Sequence, residues 1–445
     1  MATTLQIQYY NTYILKKINE SWNSATGEID RTNAQYDWYV EESRIKGDFN
    51  GKFSGIAPRA YLATENTNQQ TFRNSIIYSG IFNSRTGINQ TNQFSVAEEI
   101  TRSIDPIEGT IQKLYAEDTN LLIFQEKKVS RALIDKDAIY TAEGQPLTTS
   151  SNLVIGQVQS YAGEYGIATN PESFAVYGYR KYFTDANKGA VMRLSQDGLT
   201  EISSYGMFDY FRDRLSLSRL GVNGRLTGGY DIHNRQYVLS IQPVVGKADG
   251  SQAVTLSFDE KVRGWVSFYS YIPGYMFSLD NRYYSFNLSG DLWQHYSTSV
   301  NRANFYGSNN NSSVITIFNS QPSMSKIFKT INYEGNSGWA VESFLTFLTN
   351  SSDTANAIAR YEGPPATLAD MEAELLQNKF KAKENKYFAD LVNTSPPNEG
   401  EVIFGSSISG LKGFYGVATF TTENDVAENN RELFAVSTEY VQSSY

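Results

Sequence analysis

The chain of 445 residues contains no cysteine. Disulfide frameworks, thiol nucleophiles and cysteine-based zinc sites are thereby excluded. The absence fits manufacture in a reducing cytoplasm. Histidine is nearly missing too, with two residues, His233 and His295. Neither lies in an HxH or HxxxH pattern, and two residues so distant in the chain do not make a usual zinc site. Both are read as structural. No apolar run approaches the ~18–20 residues of a membrane-spanning helix. The opening MATTLQIQYY lacks the basic and apolar regions of a signal peptide. Positive charge is in deficit: 38 Lys and Arg against 47 Asp and Glu leave a net charge of −9. That argues against nucleic-acid binding driven by phosphate contacts. It remains compatible with a surface past which DNA slides, since an acidic wall repels phosphate and avoids sticking. Leu, Lys and Glu do not dominate, so the chain is not a helical bundle.

Aromatic residues are abundant, at 14%, and 31 residues are Tyr. Many Tyr with Asn, Ser and Thr suit half-buried sheet faces and wet protein contacts. The densest region is Val254–Tyr296. Val254, Leu256 and Phe258 alternate with Thr255 and Ser257. Asp259–Gly264, Pro273-Gly274, Asp280-Asn281 and Ser289–Asp291 mark turns between further short runs. The pattern predicts four to five strands joined by tight turns. Its length is close to the ~40–45 residues of one four-stranded propeller blade.

The same reading extends along the chain. Residues 1–95 form an irregular β region, with strands expected at Leu5–Leu15, Tyr36–Glu41, Ala60–Ala63 and Ser75–Phe82. The polar, Gly-punctuated stretch Ile81–Ser95 reads as an extended loop arm. Residues 96–350 read as a propeller-like antiparallel β domain. Ile111–Ala116 and Asn120–Gln125 make a hairpin, Lys128–Asp135 follows, and Ala138–Pro146 is a turn-rich connection. Phe174–Phe183 pairs with Gly189–Leu194, and Gly198–Ile202 continues. Tyr205–Leu220 is a helix, with Met207, Phe211 and Leu215 at near-helical spacing. Tyr230–Ile241 folds back about His233–Arg235. Ser313–Phe318, Ser325–Tyr333 and Trp339–Thr346 are strands. No motif is shared by all units, so a partial or irregular propeller fits better than a clean repeat array. Residues 351–445 read as a linker helix, from Thr367 to near Lys383, and a C-terminal β segment. In that segment Glu401–Phe404, Gly413–Thr422 and Glu432–Val441 make three strands. The fold class is therefore mainly β, with antiparallel sheets and short helices.

Chemistry is sparse. Glu41-Glu42, Glu98-Glu99 and Asp259-Glu260 are adjacent acids, and neighbours on a strand point to opposite faces. The sialidase Asp-box, Ser-x-Asp-x-Gly-x-x-Trp, is narrowly missed twice. Ser195-Gln196-Asp197-Gly198 lacks a spacing residue and the Trp. Ser257-Phe258-Asp259 has its Trp at 265 without the Gly. Sialidases also use a Tyr nucleophile and an Arg triad, which cannot be picked out among so many Tyr and Arg. No Walker A, dinucleotide, GxSxG or EF-hand motif is present. The aromatic series Trp265, Phe268, Tyr269, Tyr271, Tyr275 and Phe277 suits a sugar-stacking platform or, more simply, a sheet core. No catalytic, cofactor-binding or metal-binding residue is assigned, and no cofactor is expected.

Several long phrases carry a resemblance. They are YAEDTNLLIFQEKKVSRALIDKDAIYTAEG (Tyr115–Gly144), GEYGIATNPESFAVYGYRKYFTDANKGAVMRLSQDGLTEIS (Gly163–Ser203), DEKVRGWVSFYSYIP (Asp259–Pro273), FKTINYEG (Phe328–Gly335) and RELFAVSTEYV (Arg431–Val441). They resemble the tail muzzle or stabilisation proteins of crAss-like, short-tailed phages, which are similar to the nozzle proteins of other podoviruses. The resemblance implies a virion structural protein, made in the bacterial host cytoplasm, that is not an enzyme. It implies a ring, sixfold, around the DNA exit channel, contacting copies of itself and other tail and adaptor proteins while DNA passes without sequence-specific binding. A propeller-type tail protein that binds or hydrolyses host-surface glycan is the alternative. Family members are expected to carry more β material ahead of the matching region. The end of the chain is expected to pair as a strand, Glu432–Val441, covered on both faces, with Gln442–Tyr445 loose.

Overall fold

A computed structural model describes residues 72–79, 85–89, 100–117, 120–140, 146–216, 224–243, 252–347, 352–355, 358–361, 378–393, 411–422 and 431–443, with the short strands Leu15–Ile18, Ser21–Asn23, Glu28–Asp30, Asp37–Val40, Phe82–Asn83, Ile403–Phe404 and Ser407–Ser409. The chain divides into two compact units. One comprises Met1–Tyr230, Ile241–Ala253 and Phe258–Val266; the other comprises Asp231–Ser240, Val254–Ser257 and Ser267–Tyr445. The protein is mainly β, built from several antiparallel sheets, as the sequence pattern predicts.

Within the first unit, Ile111–Ala116, Asn120–Gln125, Val129–Tyr140 and Pro146–Ser160 form a four-stranded antiparallel sheet in chain order. The run LLIF explains itself by the period of two. Leu122 and Phe124 enter one buried cluster with Phe183, Met192 and Leu194. Ile123 enters another with Ile76, Ile104, Ala132 and Ile155. A strand covered on both faces needs no polar alternation. Each such buried Phe or Leu is worth about 1.5–3 kcal/mol against exposure. A second sheet, Ala175–Tyr177, Arg180–Asp185, Ala190–Ser195 and Gly198–Glu201, is again antiparallel and in chain order. A third, not confined to that unit, comprises Arg225–Asp231, Gln236–Gln242, Val254–Asp259 and Gly264–Tyr269 and keeps the same order. The α-helix Phe208–Leu215 buries Phe211 and Leu215, one turn apart, and carries Arg212 and Arg214 where the helix dipole favours cations. Gly189, at φ +66, lets the hairpin turn approach this helix: a Cβ there would lie 2.9 Å from the Arg212 Cα.

In the second unit, Tyr275–Leu279, Arg282–Phe286 and Leu292–Gln294 form a three-stranded antiparallel sheet. Two larger sheets follow. The first runs, among the described strands, Ser312–Phe318, Tyr415–Thr422, Ala340–Phe347, Ser352–Ala355, Val392–Asn393, Ser407–Ser409, Ile403–Phe404. The second is centred on Lys326–Gly335. One edge of that strand is taken by Leu411–Gly413 and Lys386–Asp390, the other by Leu433–Gln442 along its length. Phe328, Ile331, Tyr333, Val341, Phe344 and Phe420 anchor the shared core. The fully buried Lys326 ammonium donates to the Gln321, Met324 and Phe414 carbonyls.

Several expectations are corrected. Val254–Tyr296 is not one blade: its first two strands complete the third sheet and the rest form a separate one. The link through Pro273 leaves the ladder instead of reversing it, because Pro donates no ladder bond. Ala138–Pro146 is not simply a connection, since Val129–Tyr140 and Pro146–Ser160 stay paired out to Tyr140 and Pro146. The segment PLTTSSN lacks the apolar alternation that marks a strand. Phe174–Phe183 breaks at Gly178, φ +55, into two strands. The three C-terminal strands do not form one segment. Ile403–Phe404 and Tyr415–Thr422 lie in the seven-stranded sheet, and Leu433–Gln442 pairs with Lys326–Gly335. That last strand includes Gln442, and the Ser443 N–H donates to the Ser325 carbonyl at 2.9 Å, so the loose tail does not begin at Gln442. Its faces are also unequal. Leu433, Val436 and Tyr440 pack on the core, while Phe434 is 72% exposed. Phe434 would share a face with Val436 and Tyr440 by strict alternation, but the register shifts where Glu334 pairs with Ala435 and Gly335 with Leu433, and this β-bulge at Phe434 turns its ring off the core face. Of the loop Ile81–Ser95, Phe82–Asn83 pairs with Ile88–Asn89. The helix expected from Thr367 does not reach Lys383: Lys379 bridges to Ala359, Phe380 is buried in the core and Lys381–Lys383 is a strand, while residues 367–377 lie outside the described residues, as do residues 5–14, Ala60–Ala63 and residues 217–220 of the first helix. Phe208–Leu215 is the one α-helix among the described residues. No sheet among the described strands closes on itself.

An aromatic cavity as candidate functional site

In the second unit the turn between Asp231 and Gln236 is set by one side chain. Asp231 Oδ1 accepts the His233 and Asn234 N–H groups at 2.9 and 3.3 Å, an Asx turn. The other carboxylate oxygen accepts the Tyr296 hydroxyl. Tyr296 in turn accepts from the Asn234 amide at 2.7 Å and stacks on the His233 ring, 4.0 Å between centroids. Burial holds the Asp231 carboxyl above the usual range, against the pull of the Tyr296 hydroxyl and the two N–H groups. Burial, then the Asp231 charge, raises the Tyr296 phenol far above its ordinary value.

His295, next in the chain, turns the other way. Its Nε2 lies 2.6 Å from Ser285 Oγ, which lies 2.8 Å from the Tyr306 hydroxyl. Its ring packs between Tyr283 and Tyr271, at 4.8 and 5.0 Å. Burial pushes its pKa down to about 4, so it is neutral at pH 7. The two histidines, remote in sequence, therefore line the same cavity of about 750 Å³. Its walls include Tyr269, Trp293, Tyr296, Phe305 and Tyr306, with Gln294, Thr298 and Arg302 among the polar groups. Three non-glycine wall residues adopt left-handed backbone: Tyr296 at φ +61, Ala303 at +52 and Tyr306 at +54. Each costs on the order of 1–3 kcal/mol and persists only where the surroundings over-determine it.

The Ser285–His295 pair has the spacing of a nucleophile and its base. Ser285 is wholly buried on the inner face of its strand, beside Tyr283 and Met276, and its hydroxyl is shared with Tyr306. A substrate carbonyl does not reach it. Among the described residues no group of three or more His, Asp or Glu is placed to hold a metal. Ser285 therefore offers the cavity no accessible nucleophile.

A second recess, about 550 Å³ in the first unit, lies at Tyr177, Tyr179, Arg180, Arg193 and the Ser195–Asp197 turn. Here the structure selects the Tyr and Arg that sequence reasoning could not. The Tyr182 hydroxyl donates to Glu260 at 2.8 Å. Arg193 donates to Glu260 at 3.0 Å and to Asp197 at 3.2 Å, and Arg180 stands 4.0 Å from Glu260. A Tyr–Glu pair beside two Arg has the composition of a sialidase centre, but Tyr182 is fully buried and burial drives its phenol far upward. A phenol so placed resists the ionisation a nucleophile needs. Both near-miss Asp-boxes act as turn caps. Ser195 donates to Asp197, which lowers the Asp197 pKa. Asp259 accepts the Lys261 N–H at 2.7 Å. The Asp259-Glu260 pair thus splits between a turn and an ion-pair network, while Glu41-Glu42 and Glu98-Glu99 lie outside the described residues.

The aromatic series divides as well. Trp265 packs on Phe211 and Phe258 and donates to the Ile202 carbonyl at 3.1 Å. Tyr269 and Tyr271 turn toward the cavity. Phe268 and Tyr275 are 59% and 51% exposed.

Among the described residues, the reactive-looking groups of this β-rich chain are held in its own turns and ion pairs. Comparison with protein families gives the kind of protein. The family described as Crassvirus muzzle protein matches residues 59–289, and that described as Crassvirus muzzle protein C-terminal domain matches residues 300–394. The chain belongs to the crassvirus muzzle protein family and is a structural component of the virion tail. No curated protein matches it. Among solved structures, an exo-β-1,3-galactanase from Phanerochaete chrysosporium is 10% identical over 82% of this chain and 100% of that chain, with a TM-score of 0.17. A likeness at that score carries no argument about fold or substrate.

Proposed function

We propose that the protein is a subunit of a closed ring at the end of a short-tailed phage, around the channel through which DNA leaves. It assembles in the bacterial host cytoplasm, and its role is structural, not enzymatic. The observation that carries this reading is apolar surface left bare in the single chain. The terminal strand of the seven-stranded sheet, Ser312–Phe318, has no charge and no Pro, and Ile315 and Ile317 are each 66% exposed. Such an edge is a template for pairing with another chain, and soluble monomers avoid it. The outer face of the three-stranded sheet adds Tyr275, Leu279 and Leu292, more than half exposed. Obligate assemblies cover this kind of surface with interfaces of ~2,000 Å² or more. A net charge of −9 suits a wall that DNA passes without adhering. Six copies are expected from the family resemblance.

Native mass spectrometry of the purified chain and cryo-electron microscopy of virions test the reading. A symmetric ring with Ser312–Phe318 buried between copies is expected. The double variant Ile315→Lys, Ile317→Lys should leave the melting temperature of the dissociated chain unchanged while abolishing the ring. A monomer in the assembled particle that touches no copy of itself would overturn the proposal, as would a channel lined mainly by Lys and Arg.

A further inference from the structure

We propose that the cavity between His233 and Tyr306 is a binding site for a short oligosaccharide. The inference stands apart from ring formation, because the whole site lies within one unit of one chain.

The cavity has the chemistry of a sugar site in three respects. Its volume, about 750 Å³, lies within the ~300–1,000 Å³ of small-ligand pockets and leaves room for more than one pyranose ring. Aromatic rings form much of its wall, and although Tyr269, Phe305 and Tyr306 pack against the core around Tyr271 and Tyr283 they keep part of their surface exposed. Tyr296 keeps 44% of its surface exposed, and Tyr269, Trp293, Phe305 and Tyr306 are only partly buried. The apolar C–H face of a pyranose packs on such rings, while its hydroxyls need neutral donors and acceptors around the edge. Gln294 and Thr298 supply both, and Arg302 adds a guanidinium. Among the described residues none of these three side chains makes a hydrogen bond or ion pair within the protein.

The wall is also held in place. Tyr296 is fixed from below by the buried Asp231 and from the side by Asn234 and His233. Tyr306 is fixed through Ser285 to His295. Three left-handed, non-glycine residues within eleven positions, Tyr296, Ala303 and Tyr306, keep the loop in a shape that the backbone does not choose unaided. A rigid aromatic wall with unpaired polar side chains at its edge is pre-organised for a ligand. A nucleotide would require several cations at its phosphates, and the wall holds one, Arg302. A lipid tail would require an unbroken apolar lining.

The test uses the purified full chain and defined probes: maltotriose, cellotriose and triacetylchitotriose as neutral sugars, trigalacturonate as an acidic one. Saturation-transfer NMR and calorimetry read binding. At least one trisaccharide should bind, with its ring protons saturated from aromatic side chains. Gln294→Ala and Arg302→Ala, which remove no packed side chain, should each weaken binding about threefold to tenfold. Tyr296→Ala should abolish it. Tyr275→Ala, an exposed ring outside the cavity, should change nothing. Loss on Arg302→Ala confined to trigalacturonate would assign an acidic sugar, and equal loss a neutral one; both support the site. No binding of any probe at millimolar concentration, or binding indifferent to Gln294→Ala and Arg302→Ala, would overturn it. Cryo-electron microscopy showing the cavity filled by a neighbouring chain in the virion would do so as well.

Discussion

Protonating His295 should weaken the fold, and the chain is unusually well suited to measure this. The ring is neutral because burial between Tyr271 and Tyr283 disfavours the imidazolium, taking its pKa from 6.5 to about 4. At ~1.36 kcal/mol for each pH unit, the gap is worth about 3 kcal/mol at most. The folded pKa lies below the unfolded one, so between them the unfolded chain binds more protons. The contribution is fully present above pH 6.5 and is lost as pH falls toward 4. Asp231 and Asp185, both raised by burial, act in the opposite sense over part of this window. The measurement is therefore a difference. Wild type should lose about 2–3 kcal/mol more than His295→Gln between pH 7.5 and pH 4.5, read from denaturant midpoints. Because there are only two histidines, labelled imidazoles give two sets of NMR signals, and His233→Gln assigns them. A His295 signal titrating near 6.5, or identical pH profiles for wild type and His295→Gln, would refute the reasoning.

Lys326→Met keeps the side-chain volume but strands three carbonyls, those of Gln321, Met324 and Phe414. Losing a buried, charge-assisted network against the desolvation it relieves should cost about 2–4 kcal/mol, seen as a lower denaturant midpoint; an unchanged midpoint would count against it. Gly189→Val puts a β-branched residue at φ +66 and against the Arg212 backbone. It should lower stability by more than about 1 kcal/mol, where Gly198→Ala, with open space around its Cβ, should cost less. Truncation at Arg431 removes the strand that covers one edge of Lys326–Gly335 and should yield insoluble chain, whereas removing Ser444 and Tyr445 should leave soluble yield and ring formation intact.

The local pattern alone determined much of this protein. Alternation and turn chemistry located hairpins such as Ile111–Gln125 and Gly189–Glu201 to within a residue or two, because a period of two and a Gly or Asp turn are properties of neighbours in the chain. The long phrases that resemble muzzle proteins were likewise legible without coordinates. Pro146–Ser160 was not, since its strand is stabilised by its partner Val129–Tyr140 more than by its own polar sequence. Nor was the choice of partners. Leu433–Gln442 pairs with a strand that begins more than a hundred residues earlier, and register over such a distance is set by which faces find a core. The cavity lay further still from view. His233, His295 and Tyr306 carry no shared motif, and only the fold brings them to one wall. Tertiary structure likewise decided that Tyr182, Glu260 and Arg193 meet, and that burial leaves them a brace instead of a catalyst. Pairing between distant strands is chosen by the free energy of covering both faces at once, a quantity that no local stretch of sequence contains.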